Sequence, residues 1–542
     1  MFVRVFYGDE IGWERESKIM TIRRALFAFV ASLCALIVVA ASSHAAEPDK
    51  SRSLSGKILW LSDIHFDPFY GDSQDRDEVR AMLKALVDSS DPQKPIWRVH
   101  QQWHNIFTRR ISGDIQFPLQ AETYSPPGND TNDKLLQTAL QRARHTCADP
   151  DFIIITGDFL GHSFGIRYYS LAPSGMQTAT HYNRFVAQTI AYIAMSVADR
   201  FEGVPVYATL GNNDAYCGDY DIRLDTKQSR FLADTAATFK QYFLSSLSAD
   251  DQRAFEATFL KGGYYTISPR RAKKHRIVVL NSIALMEKYP DADRGDSYPP
   301  TVKLCDSEPA VSASGQLAWL ADELNMTDRT GRVWVACHVP PGANCYSNRY
   351  RRAHQPWPSM YWKDDNFNKF KNLLLTDGHL KNLAGILAGH SHNAEFKLMR
   401  DGTNRPVSFV LMCPSISPVH KNNPSFRVMS YDRGSLGISG YQTHYLDLWA
   451  AQQDQPTGSA ALSNATWKSF SFGESYGAKS VSASSLSAVY DAMAIGANGP
   501  SKLLIEYAQN YNTRAGYTSV VAFWNKAYRP GIGNLTGSLY QP

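Results

Sequence analysis

The 542-residue sequence lacks several things, and each absence narrows what the chain can do. Its seven cysteines stand singly, with no CxxC pair and no Cys/His pattern of a zinc ribbon. That spacing excludes a small disulfide-stapled scaffold and a cysteine zinc module. The formal net charge is only +5, too little to leave the electrostatic footprint of a nucleic-acid-binding protein. No internal repeat is visible, so solenoids and propellers are not expected. After residue 41 no stretch is long and apolar enough to cross a bilayer, and stable membrane insertion of the mature chain is not expected. Hydrophobic residues make up 44% and charged residues 20%, which is the composition of a globular protein with an ample core.

The N-terminus reads as a targeting segment. Arg23 and Arg24 precede the uncharged run Ala25 to Ala41, and small residues follow at Ser43-His44-Ala45-Ala46. That order is a secretory signal, with cleavage expected after Ala45 or Ala46 and Met20 as an alternative start. An uncleaved anchor is the competing reading. Removing the signal takes Cys34 with it and leaves Cys147, Cys217, Cys305, Cys337, Cys345 and Cys413, an even number that permits disulfides in an exported protein. Cys337 lies in the apolar run Val333–Cys337 and is expected to be a buried thiol.

From Lys57 to about Ala450, short apolar runs alternate with helical patterns, which points to an α/β arrangement. Strands are expected at 152–156, 204–210, 277–281, 333–338, 383–388 and 408–412. Helices are expected at 76–87, 133–147, 182–200, 313–324 and 367–377. The Pro/Gly/aromatic segment 97–132 reads as an ordered excursion near the site. The Ser/Ala/Gly-rich stretch 452–487 reads as a linker with little structure of its own, followed by helices at 489–495 and 502–511. The domain division is therefore residues 1–46 as signal, 47–450 as catalytic domain, and 451–542 as linker and C-terminal helical region.

Five apolar runs end alike. KILWLSDIH delivers Asp63 and His65, one residue apart on a strand end and so on one side. FIIITGDFLGH delivers Asp158 and, four residues on, His162. VYATLGNND delivers Asn212 and Asn213, VWVACH delivers His338, and AGILAGHSH delivers His390 and His392. Open α/β sheets bind ligands at the carboxyl ends of their strands, and glycine beside each ligand lets the backbone come close. Asp63, His65, Asp158, Asn212, His338, His390 and His392 are too many N/O donors for one tetrahedral ion. They suit two ions sharing a bridging carboxylate. Such a pair clamps a phosphoryl group and generates a hydroxide between the ions, which would attack phosphorus.

The ordered set DxH, GDxxxH, GNND, strand-His and GHSH resembles the calcineurin-like metallophosphoesterases. DIHFDPFY, HVPPG and CPSISPVHKNNPSFRV resemble the acid sphingomyelinase-like phosphodiesterase branch, over roughly Lys57 to Leu448. The resemblance implies a four-layer αββα sandwich of two mixed β-sheets, with a small C-terminal helical appendage. It implies one metal on Asp63, His65 and His392, a second on Asn212, His338 and His390, and Asp158 bridging them. The metals would be zinc, with manganese or iron as alternatives. His162 would contact the phosphate or protonate the leaving group.

Two departures from the family pattern stand out. The family's usual histidine in GNH is Asn213 here, which can donate a hydrogen bond but not a proton. GNND also resembles the endopolyphosphatases of the same superfamily. No cysteine-rich saposin-like segment precedes the catalytic part, which favours soluble substrates. The expected protein is thus an exported, monomeric phosphodiesterase acting on a small phosphoester: a nucleotide, a soluble phosphodiester or polyphosphate. A phosphomonoesterase or polyphosphatase, and a non-catalytic phosphate-ligand binder, are the alternatives. Beside the site, Arg349, Arg351 and Arg352 with Trp357 and Trp362 read either as a clamp that holds a polyanion and stacks a base or as a solvated loop. The basic run Pro269–Arg276 reads as a solvated turn. Asn-x-Thr sites at Asn129, Asn325, Asn464 and Asn534 would matter only in a eukaryotic source.

Overall fold

The computed structural model describes residues 54–71, 76–88, 96–107, 120, 123–227, 229–286, 309–326, 331–344, 359–376, 378–453 and 466–515. The expected signal, Arg349, Arg351, Arg352, Trp357, Cys305, Cys345, Asn464 and Asn534 lie outside these residues.

Twelve strands build two mixed six-stranded sheets. In the first, β1 (Ser55–Leu61), β2 (Phe152–Ile155) and β3 (Val206–Ala208) run parallel in that order. The sheet continues from β1 through the antiparallel ribbon β10 (Ser425–Asp432), β11 (Ile438–Leu446) and β12 (Trp467–Ser471). The second sheet contains β4 (Tyr265–Ile267), β5 (Arg276–Val279), β6 (Val333–Ala336), β7 (Leu383–Ala388), β8 (Phe396–Arg400) and β9 (Pro406–Met412). Its order is β4-β5-β6-β7-β9-β8, with β5, β6, β7 and β9 parallel and each edge strand antiparallel. The parallel strands are apolar along their length because both of their faces are covered. β2 is Phe-Ile-Ile-Ile with all four residues buried.

The core lies between the sheets. Trp334 of β6 packs its ring against Phe152 of β2 and Tyr431 of β10. Tyr265 of β4 reaches across so that its hydroxyl accepts from Ala208 N at 2.9 Å and donates to Ala208 O at 3.1 Å. Helices Asp133–Thr146 and Ala179–Arg200 pack together beside the first sheet, and Ala313–Met326 pairs with Asp364–Thr376 beside the second. Asn132 caps the first of these, its side chain accepting from Leu135 N at 3.1 Å. Leu135, Leu136, Ala139, Leu140 and Ala143 then form its buried stripe.

The parallel strands and their helices stand where the alternation of apolar runs put them, within a few residues. The antiparallel strands β8, β10, β11 and β12 had no such signature: buried polar residues such as Lys397 and Arg427 interrupt β8 and β10, and β11 and β12 are partly exposed. Residues 452–487 are corrected by β12 and by helix Ala483–Ala492, which packs on β8 and β9. Trp467 and Phe470 provide the apolar faces that let a Ser-rich segment pair with β11. Helix Lys502–Tyr511 forms as expected, and Leu504, Tyr507, Ala508 and Tyr511 enter the main core. Ala394 N donates to Tyr511 O at 2.9 Å, so this helix buttresses the loop that follows β7.

Trp362 is a second correction. It is 1% exposed, donates Nε1 to Val339 O at 3.1 Å and packs edge-on against Phe370, so it is core and offers no face to a base. Cys337 is a free buried thiol, as are Cys147 and Cys413, whereas Cys217 is disulfide-bonded. In the basic turn, Arg271 pairs with Asp149 and Asp151, and His275 is buried.

Candidate metal centre

The carboxyl ends of β1, β2 and β3 meet those of β6 and β7, and all seven expected ligands converge there. Asp63, His65, Asp158, His390 and His392 have φ between 45° and 73°. Non-glycine residues seldom adopt this left-handed conformation, and its concentration at one spot marks a backbone bent to aim side chains. Glycines make room for the bends. A Cβ on Gly389 would lie 2.8 Å from Asp63 Oδ2, and one on Gly157, itself at φ +83°, would lie 2.8 Å from His338 Nδ1. Gly211 sits so close to Asp158 that any side chain would collide with its carboxylate.

Hydrogen bonds fix which nitrogen of the His65 and His338 rings faces inward. His65 Nδ1 is 2.9 Å from Leu160 O, and His338 Nδ1 is 2.6 Å from Thr156 O. A carbonyl only accepts, so each Nδ1 carries the proton and each Nε2 keeps its lone pair for the centre. Those nitrogens lie 3.2 and 3.3 Å from Asp158 Oδ2. His65 Nε2 also lies 3.1 Å from His392 Nε2, and His338 Nε2 lies 3.0 Å from Asn212 Oδ1 and 3.3 Å from His390 Nδ1. Asp63 Oδ1 is 3.4 Å from His392 Nε2, and both its oxygens accept from His390 N.

Lone pairs aimed at one another and at two carboxylates repel unless positive charge stands among them. The donor set therefore fits divalent cations, and its N/O composition suits zinc, manganese or iron. Asp158 belongs both to the cluster with Asp63 and His65 and to the cluster with His338 and His390. A carboxylate shared in this way is what a bridge between two ions requires. Without an ion, protons would have to supply that positive charge. Burial pushes the Asp63 carboxyl up to about 7, with His338 opposing. Burial would lower His338, but the neighbouring Asp158 carboxylate holds it up to about 9. Burial raises Asp158 too, but His338 and His65 outweigh it and hold its carboxyl below the usual range.

The other two expected site residues flank this cluster. The His162 ring stacks on His65 at 4.2 Å and 18° between planes, and its Nδ1 meets Asp130 Oδ1 at 3.0 Å. Asn213 holds Asp158, with N donating to Oδ1 at 2.8 Å and Nδ2 to Oδ2 at 3.0 Å. Beyond them lies a cleft of about 140 Å³ lined by His162, Phe164, Ile166, Tyr182, Asn213 and Asp219, among others.

Several supporting residues had no reading of their own in the sequence. Asp214 is fully buried and accepts from Phe159 N, Leu160 N and Gly211 N, which clamps the loops after β2 and β3 together. Its signal was its place directly behind Asn213. Asp219 accepts from Asn212 Nδ2 at 2.7 Å and so directs Oδ1 of Asn212 inward. Asp130 accepts from His162 N and Nδ1 and from Ser417 Oγ, and a lone aspartate in an irregular segment carries no signal. His420 stands 4.4 Å from the His392 ring.

The chain also resembles known proteins. Residues 56–394 match the calcineurin-like phosphoesterase family. The chain is 25% identical over 457 residues to acid sphingomyelinase-like phosphodiesterase 3b of Homo sapiens, covering 82% of this chain and 81% of that protein. The Mus musculus protein of that name is 25% identical over 413 residues, 74% of this chain and 73% of the relative. Cyclic GMP-AMP phosphodiesterase SMPDL3A of Bos taurus is 23% identical over 403 residues, 72% and 71% of the two chains.

Proposed function

Because this chain belongs to the calcineurin-like phosphoesterase family, we propose that it is an exported binuclear phosphodiesterase acting on soluble phosphodiesters or nucleotides. That it is a metal-dependent phosphoester hydrolase follows from the family and from relatives named as phosphodiesterases. The observation that carries the binuclear reading is the Asp158 carboxylate, shared between two clusters of inward-facing donors. Asp63, His65 and His392 would hold one ion, and Asn212, His338 and His390 the other. Two divalent ions, zinc by the family resemblance, supply Lewis acidity and an activated water when bound.

The chain's own residues do the rest. Asp130 keeps a proton on His162 Nδ1. Burial works against a charged ring, but the Asp130 carboxylate outweighs it and raises His162 to about 9. His162 is then protonated at neutral pH and can give the Nε2 proton to the departing alkoxide oxygen. The cleft, where Phe164, Ile166 and Tyr182 stand beside the polar His162, Asn213 and Asp219, gives a space for the departing group. The disulfide at Cys217 and the apolar run after Arg23–Arg24 support export. Among the described residues no helix is long and apolar enough to cross a membrane.

The test is elemental analysis of pure protein alongside a panel of phosphoesters with and without chelator. About two ions per chain, and chelator-sensitive turnover fastest on soluble diesters or nucleotides, are expected. Faster turnover of monoesters or polyphosphate would shift the substrate reading. Full activity with at most one ion per chain would end the binuclear one.

A further inference from the structure

His420 is exposed at the rim of the centre, in the turn Pro418–Lys421 between β9 and β10. Its ring meets His392 nearly edge-on at 4.4 Å and 62°, and lies 6.0 Å from the His162 ring. His65, His162, His392 and His420 therefore form one continuous cluster of rings. His162 has a carboxylate partner in Asp130 and a cleft beside it, so its task is legible. His420 packs into no core, yet the turn that carries it is fixed.

The fixing is extensive. Pro418 O accepts from Lys421 N at 2.8 Å and from Gly128 N at 2.9 Å. Asn422 Nδ2 donates to Ser415 Oγ at 2.9 Å and to Ser417 O at 3.0 Å. Ser417 Oγ donates to Asp130 Oδ1 at 3.1 Å, the same oxygen that receives His162 Nδ1. One buried carboxylate thus holds both His162 and the start of the turn that carries His420. Lys421 adopts φ 63°, a strained conformation that the flanking bonds maintain. A side chain carried on a turn held this firmly, with its ring against His392, loses less freedom on meeting a ligand than one on a loose loop.

We propose that His420 is a substrate-contacting residue that donates a ring N–H to a non-bridging phosphoryl oxygen at the rim it shares with His162. This rests on the phosphoesterase reading of the centre but assigns a contact which that reading does not contain. An imidazole N–H donates whether or not the second nitrogen is protonated, so the contact needs no particular charge state. Its oxygen acceptor carries negative charge, and such hydrogen bonds are the stronger kind.

Inorganic phosphate, the group common to every phosphoester product, is the probe. Titration calorimetry of metal-loaded wild type, His420→Ala and His420→Gln reads binding without turnover, and metal content is measured on the same samples. Loss of a hydrogen bond to a charged oxygen is worth roughly 10- to 100-fold in affinity. His420→Ala should therefore bind phosphate at least about ten-fold more weakly with its metals retained, and His420→Gln, which keeps an N–H donor, should recover much of the loss. With a hydrolysed diester the same variants should change KM more than kcat. Unchanged phosphate affinity in His420→Ala overturns the proposal. So does loss of metal in that variant, which would make His420 a support for His392. If wild type binds phosphate but hydrolyses no phosphoester, the phosphodiesterase reading fails while the calorimetric comparison still decides the His420 contact.

Discussion

Asp158 and Asn213 grip each other at two points, the backbone N of Asn213 on Oδ1 at 2.8 Å and its side-chain Nδ2 on Oδ2 at 3.0 Å. The carboxylate is thereby oriented before any ion arrives, with Oδ2 turned toward His65 and His338. Asp158→Asn removes the charge from both clusters at once. We expect loss of both metals and a fall in kcat/KM of roughly a thousand-fold or more, since a shared ligand and the electrostatic field it sustains both go. A variant that retains two ions and near-normal turnover would show that Asp158 is not the bridge.

Asn213→Ala tests orientation separately from charge. The backbone bond to Oδ1 survives and the Nδ2 bond is lost, so metal affinity should fall about 10- to 100-fold, the usual effect of deleting a residue that orients a ligand. Competition with a chromogenic chelator measures it, and unchanged affinity would leave Asn213 without a positioning role.

Gly211→Ala places a methyl group against the Asp158 carboxylate and its backbone N. No side-chain rotation relieves a clash with backbone, so the loop after β3 must move. Asn212 should leave its position beside His338, and one ion per chain should be lost while the fold survives. Gly402→Ala, where nothing lies within 4 Å, is the control expected to change neither.

His162 gives a prediction about chemistry. If its Nε2 protonates the departing oxygen, His162→Ala should slow esters of poor leaving groups by roughly 10²- to 10⁴-fold and activated aryl esters far less. Equal losses for both would make it a phosphate clamp. Asp130→Asn should produce a weaker form of the same selectivity, because the ring keeps its place through the backbone bond but loses the partner that holds its proton.

Away from the centre, His444 carries a pH dependence. It is buried against Phe426, and neither ring nitrogen has a partner among the described residues. Burial, with help from Arg142, lowers it to about 4 from the ordinary 6.5. The unfolded chain therefore binds a proton between those values that the folded chain refuses. Stability falls as pH drops from about 6.5 to about 4 and loses nothing further from this group below that. His444→Leu should flatten that part of the stability curve in urea titrations. An unchanged slope would remove His444 from the account.

By itself the sequence determined the parallel strands and what stands at their ends. β1, β2, β3, β6 and β7 are covered on both faces and so read as uninterrupted apolar runs. The ligands follow those runs at once, and glycine announces each close approach. The strand pattern could not show that two separate sheets bring their carboxyl ends together, because pairing partners far apart in sequence leave no local periodicity. Tertiary structure alone decided the supports. Asp130, Asp219 and His420 lie in irregular segments where one aspartate or histidine looks like any other, and they acquire meaning only from what packs beside them. Tertiary structure likewise put Trp362, read either as a base platform or as part of a solvated loop, into the core, and made a strand of Trp467–Ser471 in the Ser-rich stretch. In both cases burial against a partner from elsewhere in the chain outweighed local composition.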